Sequence, residues 1–132
     1  MKKIKQTILD LKHGNCMQAC VASLFELPLN EIPNFMKDGG DRYDYHLQKW
    51  CKKKNLLCLD VSIEDEHLLK YFKDIYLIGV GISPRDSNNN HAVIIKNGKI
   101  IHDPHPSNKG LMGKPTRYSI FIVRNLRSIN ME

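Results

Sequence analysis

Long apolar runs are missing from this chain. The longest, such as Ile75 to Ile82, are short and strand-like, far below the ~20 residues that a membrane-spanning helix needs. The basic start Met1-Lys2-Lys3-Ile4-Lys5-Gln6-Thr7 is not followed by an apolar core of signal-peptide length. No membrane partner is therefore expected, and the expected location is the cytoplasm. Paired cysteines are missing too. The four cysteines, Cys16, Cys20, Cys51 and Cys58, form no CxxC pair and no zinc-ribbon spacing. A reducing cytoplasm also argues against a disulfide framework. What is left is a set of buried thiols and one candidate for reactivity. No internal repeat, low-complexity tract or linker interrupts the chain, so residues 1–132 read as one domain.

What is present is average for a globular protein. The chain is 42% hydrophobic and 26% charged, which excludes a disordered composition. Twenty Lys and Arg stand against fourteen Asp and Glu, for a net charge of +6. Such a surplus can favour an acidic partner, and a nucleic-acid binder would betray itself by steep salt dependence. The lysines are scattered, however, which reads as a solvated surface and disfavours nucleic acid. The densest run, Lys52-Lys53-Lys54, falls at an expected helix C-terminus, where it complements the dipole.

Residues 2 to 8 read as a short strand or extended arm. A first helix is expected from Cys16, with Asn15 as N-cap and Gln18 at the capping-box position. Met17, Cys20, Val21, Leu24 and Phe25 recur at helical spacing, and Pro28 ends the helix. A short turn or helix follows near 29–36. A second helix is expected over about 42–54, with Tyr43, Leu47, Trp50 and Cys51 inward. Leu56 to Val61 reads as a strand. Ser62 and Asp65 then cap a third helix through about Phe72. The second half is β-rich, with strands over 75–82, 91–95, 99–102 and 118–123. Asn97-Gly98 is the strongest hairpin signal. Helices first and an antiparallel sheet after give an α+β fold.

Cys16 stands at the expected first turn of a helix, behind Gly14-Asn15. Unpaired N–H groups and the positive end of the helix dipole favour a thiolate there, the nucleophilic form. Gly14 would let a substrate come close to the backbone. The bland alternative is a buried structural thiol. That reading wins for Cys20, which lies on the apolar stripe, and for Cys51 and Cys58. A nucleophilic thiol needs a base, and the base needs an orienter. His91 opens one strand of the Asn97-Gly98 hairpin and Asp103 closes the other. A two-residue turn would set Ala92 opposite Asp103. A three-residue turn over Lys96-Asn97-Gly98 would set His91 opposite Asp103 on one face. The triad reading therefore expects the longer turn, unless a bulge elsewhere shifts the register.

An oxyanion also needs donors. The Cys16 N–H is one candidate. Gln6 is the second, against the plainer reading of a polar residue on an edge strand. His13 could line the site, whereas His46 and His67 read as surface or boundary positions. A rival use of the histidines is a metal site, or a metal-dependent hydrolase, built from His91, His102, Asp103 and His105. Against it, His102 and Asp103 are adjacent on a strand and point to opposite faces. A binding module without catalysis is a further alternative.

The pattern Gln6-Thr7, Gly14-Asn15-Cys16, His91-Ala92-Val93-Ile94 and His102-Asp103-Pro104 resembles the papain-like cysteine peptidases. Within them it looks closest to the bacteriocin-leader (double-glycine) peptidase domains of peptide exporters. Over nearly its whole length the chain also resembles a group of small bacterial and phage proteins. These share a Gly-Asn/Asp-Cys start and an Asp-Pro-His-Pro-Ser segment. The resemblance implies a papain-like fold, with the nucleophile at a helix start and N-terminal helices packed on a C-terminal antiparallel sheet. It implies Cys16 as nucleophile, His91 as base, Asp103 as orienter and Gln6 as oxyanion donor, a peptidase, isopeptidase or amidase without cofactor or metal. Its partner would be a peptide or protein substrate. Gly14, Asn15 and His105 would line the substrate site. Two departures stand out. The Gln6–Cys16 gap is longer than the family's usual spacing, and Asp103-Pro104-His105-Pro106-Ser107 runs on past the usual Asp-Pro.

Overall fold

A computed structural model describes residues 1–62, 64 and 69–125. Among these residues, two α-helices pack on one five-stranded antiparallel sheet, so the α+β class holds. Helix α1 is Cys16–Phe25 and α2 is Tyr43–Lys53, with a 3-10 turn at Leu29–Glu31 between them. The strands are β1 Leu56–Val61, β2 Leu77–Ile82, β3 Asn90–Lys96, β4 Lys99–His102 and β5 Met112–Val123. Their order across the sheet is β1-β5-β2-β3-β4. The long last strand is thus central, between β1 and β2.

The helices cover one face of the sheet. Met17, Cys20 and Val21 of α1 and Leu47, Trp50 and Cys51 of α2 share a core with Ile78, Val80, Ala92 and Ile94. Trp50 meets Phe25 and Phe35 edge-on, at 5.8 and 6.4 Å between centroids, and Phe25 meets Phe121 at 5.1 Å. This aromatic cluster locks both helices to the sheet. A second cluster of Leu77, Val93, Ile95 and Tyr118, with Leu69, Phe72 and Leu111 against it, covers the opposite face. Burial on both faces explains why His91 to Ile95 is continuously buried rather than alternating.

The expected third helix from Ser62 falls largely on residues outside the description. Within it, a 3-10 turn is seen at Lys70–Phe72. The N-terminal arm is extended and forms no strand, but it is tied down. Lys2 N–H donates to Ser23 O, Ile4 N–H to Ser23 Oγ and Gln6 N–H to Pro104 O. Strand β2 starts at Leu77, later than expected, and leaves Ile75 and Tyr76 exposed. Strand β5 starts earlier, at Met112, with an irregular stretch opposite Val80 and Ile82.

The hairpin corrects the expected three-residue turn. Lys96 pairs with Lys99, and both Asn97 (φ 53°) and Gly98 (φ 76°) are left-handed, as a two-residue type I′ turn requires. The extra residue lies further on. Ile95 pairs with Ile100 but Ile94 pairs with His102, so Ile101 is a bulge. Continuing that register, Asp103 becomes the diagonal same-face neighbour of His91. The bulge near the site does what a longer turn was expected to do.

A Cβ at Gly98 would meet nothing within 4 Å, so replacement costs only backbone strain. Gly98→Ala is expected to lower stability by about 1 kcal/mol, read as a shift of the urea midpoint with unchanged slope.

Candidate active site

Cys16 is the first residue of α1 and is partly exposed, whereas Cys20, Cys51 and Cys58 are buried. Burial pushes the Cys51 thiol up to about 11 and Cys58 up to about 12. It drives Cys20 well above the ordinary range as well, helped by the charges of Cys16 and Asp103. Three of the four thiols are therefore core groups, as the apolar pattern suggested.

His91 lies between Cys16 and Asp103. Its Nε2 is 2.7 Å from Asp103 Oδ1, and both side chains are 4% exposed. The Cys16 thiol is the ring's other polar neighbour, and its interaction with the imidazole favours the protonated ring. With Nε2 engaged by the carboxylate, Nδ1 is the nitrogen left for the sulfur. Burial alone would lower the His91 pKa. The hydrogen bond to Asp103 and the interactions with Cys16 and with both charges outweigh it, and His91 is raised to about 9.

Asp103 is held from three sides. Oδ1 also accepts the His105 N–H (2.9 Å) and Oδ2 accepts the Gly110 N–H (2.7 Å). Burial would raise this carboxyl, but His91 and the two backbone donors bring it down to about 2. Its carbonyl oxygen accepts from Lys5 Nζ at 2.8 Å, and the same ammonium donates to Asn108 Oδ1 at 2.7 Å. Lys5 thus straps the arm onto the Asp103–Asn108 loop. Nothing in the sequence singled out Lys5 or Gly110 for this: one is a lysine among lysines, the other a loop glycine.

Cys16 and His91 open into a cleft of about 330 Å³ that Gln6, Gly14, Met17, Met36 and Tyr43 help to line. Gln6 is 9% exposed. Its Nε2 donates one proton to Ile8 O (2.9 Å), and its Oε1 is buried with no partner among the described residues. Gly40 and Asn88 to Asn90 border the cleft, whereas the 107–113 loop supports Asp103 from behind through Gly110.

Other expectations change. Asn15 makes no side-chain cap hydrogen bond. Its Oδ1 accepts the Thr7 and Ile8 N–H groups, and its Nδ2 donates to Thr7 Oγ1 and Gln18 Oε1. At 2% exposure it cannot meet a substrate. It fixes the Gln6-bearing arm against the start of α1. Gln18 likewise leaves the capping box and donates to Leu29 O and Ile32 O. Gly14 lines the cleft, but its lack of a side chain answers a different need, since a Cβ would sit 2.6 Å from Asp10 O. His105 lies outside the lining. Its ring is 6.1 Å from that of His91, and its Nδ1 is bonded to Ser107. His13 turns to Asp10, 3.4 Å away. His46, expected at the surface or the boundary, is buried and bonded to Asp38 Oδ2 at 2.7 Å. His67 lies outside the described residues.

The metal arrangement of His91, His102, Asp103 and His105 does not assemble. His102 is bonded to Ile4 O at 2.7 Å. Among the described residues no three His, Cys, Asp or Glu side chains converge on a common point for a metal ion. Among them, too, no helix is long and apolar enough to cross a membrane. Comparison with family models, with curated proteins and with solved structures finds no match for this chain.

The His91–Asp103 pair links stability to pH. A histidine raised from 6.5 to about 9 contributes stability that is complete below pH ~6.5 and lost as pH rises through about 9. A carboxyl lowered from 3.8 to about 2 contributes stability that is complete above pH ~3.8 and lost as pH falls through about 2. Asp103→Asn should therefore cost most between those ranges, on the order of 3 kcal/mol. The gap to wild type should narrow toward pH 9 in denaturant titrations. Asn15→Ala should cost on the order of 1 kcal/mol, because two part-buried N–H groups lose their acceptor, and amide exchange at Thr7 and Ile8 should accelerate.

Proposed function

We propose that this protein is a papain-like cysteine hydrolase that cleaves a peptide or amide through a thioester at Cys16. The observation that carries the reading is a partly exposed thiol and an imidazole lining one cleft, with the imidazole bonded behind to a buried carboxylate. A cationic imidazole beside a sulfur favours the sulfur's anionic, nucleophilic form. Asp103 keeps that imidazole charged and fixes its orientation.

In the proposed reaction Sγ of Cys16 attacks the carbonyl carbon, and the C=O electron pair moves onto oxygen. The Cys16 N–H, at a helix position without an intrahelical acceptor, and the second Nε2 proton of Gln6 receive the oxyanion. Collapse breaks the C–N bond, and the departing amine takes the proton from His91. Water, deprotonated by His91, then attacks the thioester and releases the acid and the thiolate.

Two measurements test this. Alkylation by iodoacetamide at mildly acidic pH, below the ordinary thiol range near ~8.5, should modify Cys16 while Cys51 and Cys58 stay unmodified. A para-nitrophenyl ester should leave one acyl group on the Cys16 peptide. His91→Ala should slow acylation by on the order of 10²-fold. A Cys16 that reacts no faster than Cys51, or needs unfolding to react, sinks the proposal.

A further inference from the structure

A second groove lies on the outer side of α2. Lys37, Arg42, Lys49, Lys53 and Lys54 line it, with Glu31 the single carboxylate among its lining residues. All five cations are exposed, and among the described residues none is in a salt bridge. Asp38, bonded to His46 and lowered mainly by that bond, feels Lys37 and Arg42 and offsets only part of the charge.

Part of the arrangement works against the helix, although Lys53 in its last turn complements the dipole. Lys49 and Lys53 are four apart on α2, where like charges repel. Arg42 occupies the N-cap of α2, the end of the helix dipole that disfavours a cation. An anion lying in the groove would relieve both.

The groove adjoins the candidate active site. Met36, Gly40 and Tyr43 line the cleft, while their chain neighbours Lys37 and Arg42 line the groove. One loop separates the two, so a chain leaving the cleft over residues 36–43 enters the basic groove. An acidic peptide fits better than single-stranded nucleic acid, which needs free aromatic faces for its bases. The groove's Tyr45 ring already carries Arg42 at 4.2 Å and Lys49 at 5.7 Å.

We propose that the groove over α2 binds an acidic segment of the polypeptide whose scissile bond occupies the Cys16 cleft. As a substrate exosite it rests on the hydrolase reading; as a site for acidic peptide it does not.

The test uses the full chain carrying Cys16→Ala, so that binding is read without turnover. The probe is a fluorescent oligoglutamate, followed by anisotropy at low salt. Binding is expected, and Lys49→Glu with Lys53→Glu should weaken it by about tenfold, two exposed charge contacts at roughly 0.7 kcal/mol each. Lys37→Gln with Lys54→Gln gives a milder second variant, expected to weaken binding less. With Cys16 restored, both variants should keep wild-type alkylation of Cys16. That separates groove from site, since lost alkylation in the wild type would sink the hydrolase reading while leaving the binding result intact. Oligoglutamate binding that is absent, or unmoved by both variants, overturns the proposal. So does a single-stranded oligonucleotide of equal charge that binds as tightly or tighter at the same residues.

Discussion

Three donors meet on one carboxylate in a place almost closed to water. Asp103 takes the ring N–H of His91, the backbone N–H of His105 and the backbone N–H of Gly110. A buried carboxylate without such donors would be neutralised or expelled. With them it stays charged, and its charge in turn keeps a buried imidazole cationic. The same residue ties three pieces of chain together. Its side chain joins β3 to the loop before β5, and its carbonyl receives Lys5 from the N-terminal arm. The arm carries Gln6, so the geometry on both sides of the cleft converges on this residue.

The second constraint is the start of α1. Helix α1 is largely buried, and its sequence CMQACVASLF is nearly all core. Only its first two residues, Cys16 and Met17, reach the cleft. Packing of α1 on β3 through Val21, Ala92 and Ile94 sets the distance between thiol and imidazole. Asn15 ties Thr7 and Ile8 to the same helix start. Thiol, ring and amide are thus positioned by the hydrophobic core and by polar groups that never meet a substrate.

Much of this was legible in the sequence. The α+β order, both helices, Leu56–Val61 as a strand and the hairpin followed from periodicity and turn chemistry. Cys16, His91 and Asp103 were picked out by helix-start position and hairpin pairing, and the structure brings them together. What escaped were features that depend on a neighbour distant in sequence. Asn15 looks like an N-cap, but its amide finds Thr7 and Ile8 instead. His46 looks like a surface or boundary residue of a helix until Asp38 bonds to it. Lys5 gains its role only because a residue 98 positions away presents a carbonyl. The bulge at Ile101 was foreseen only as an unplaced possibility, because bulges are decided by cross-strand packing rather than by a local signal.

The place of that bulge has a consequence for how the chain tolerates change. Had the register been set by a three-residue turn, every alteration at the tip would propagate to the pairing of His91 with Asp103. Here the odd residue sits at Ile101, between the tip and the site. The tip closes its own two-residue turn, and the Asn97 side chain exchanges two hydrogen bonds with Asp74. The offset that brings ring and carboxylate onto one face is supplied by a kink that lies next to them, so a substitution at the tip that leaves the Lys96–Lys99 pair intact leaves that offset in place.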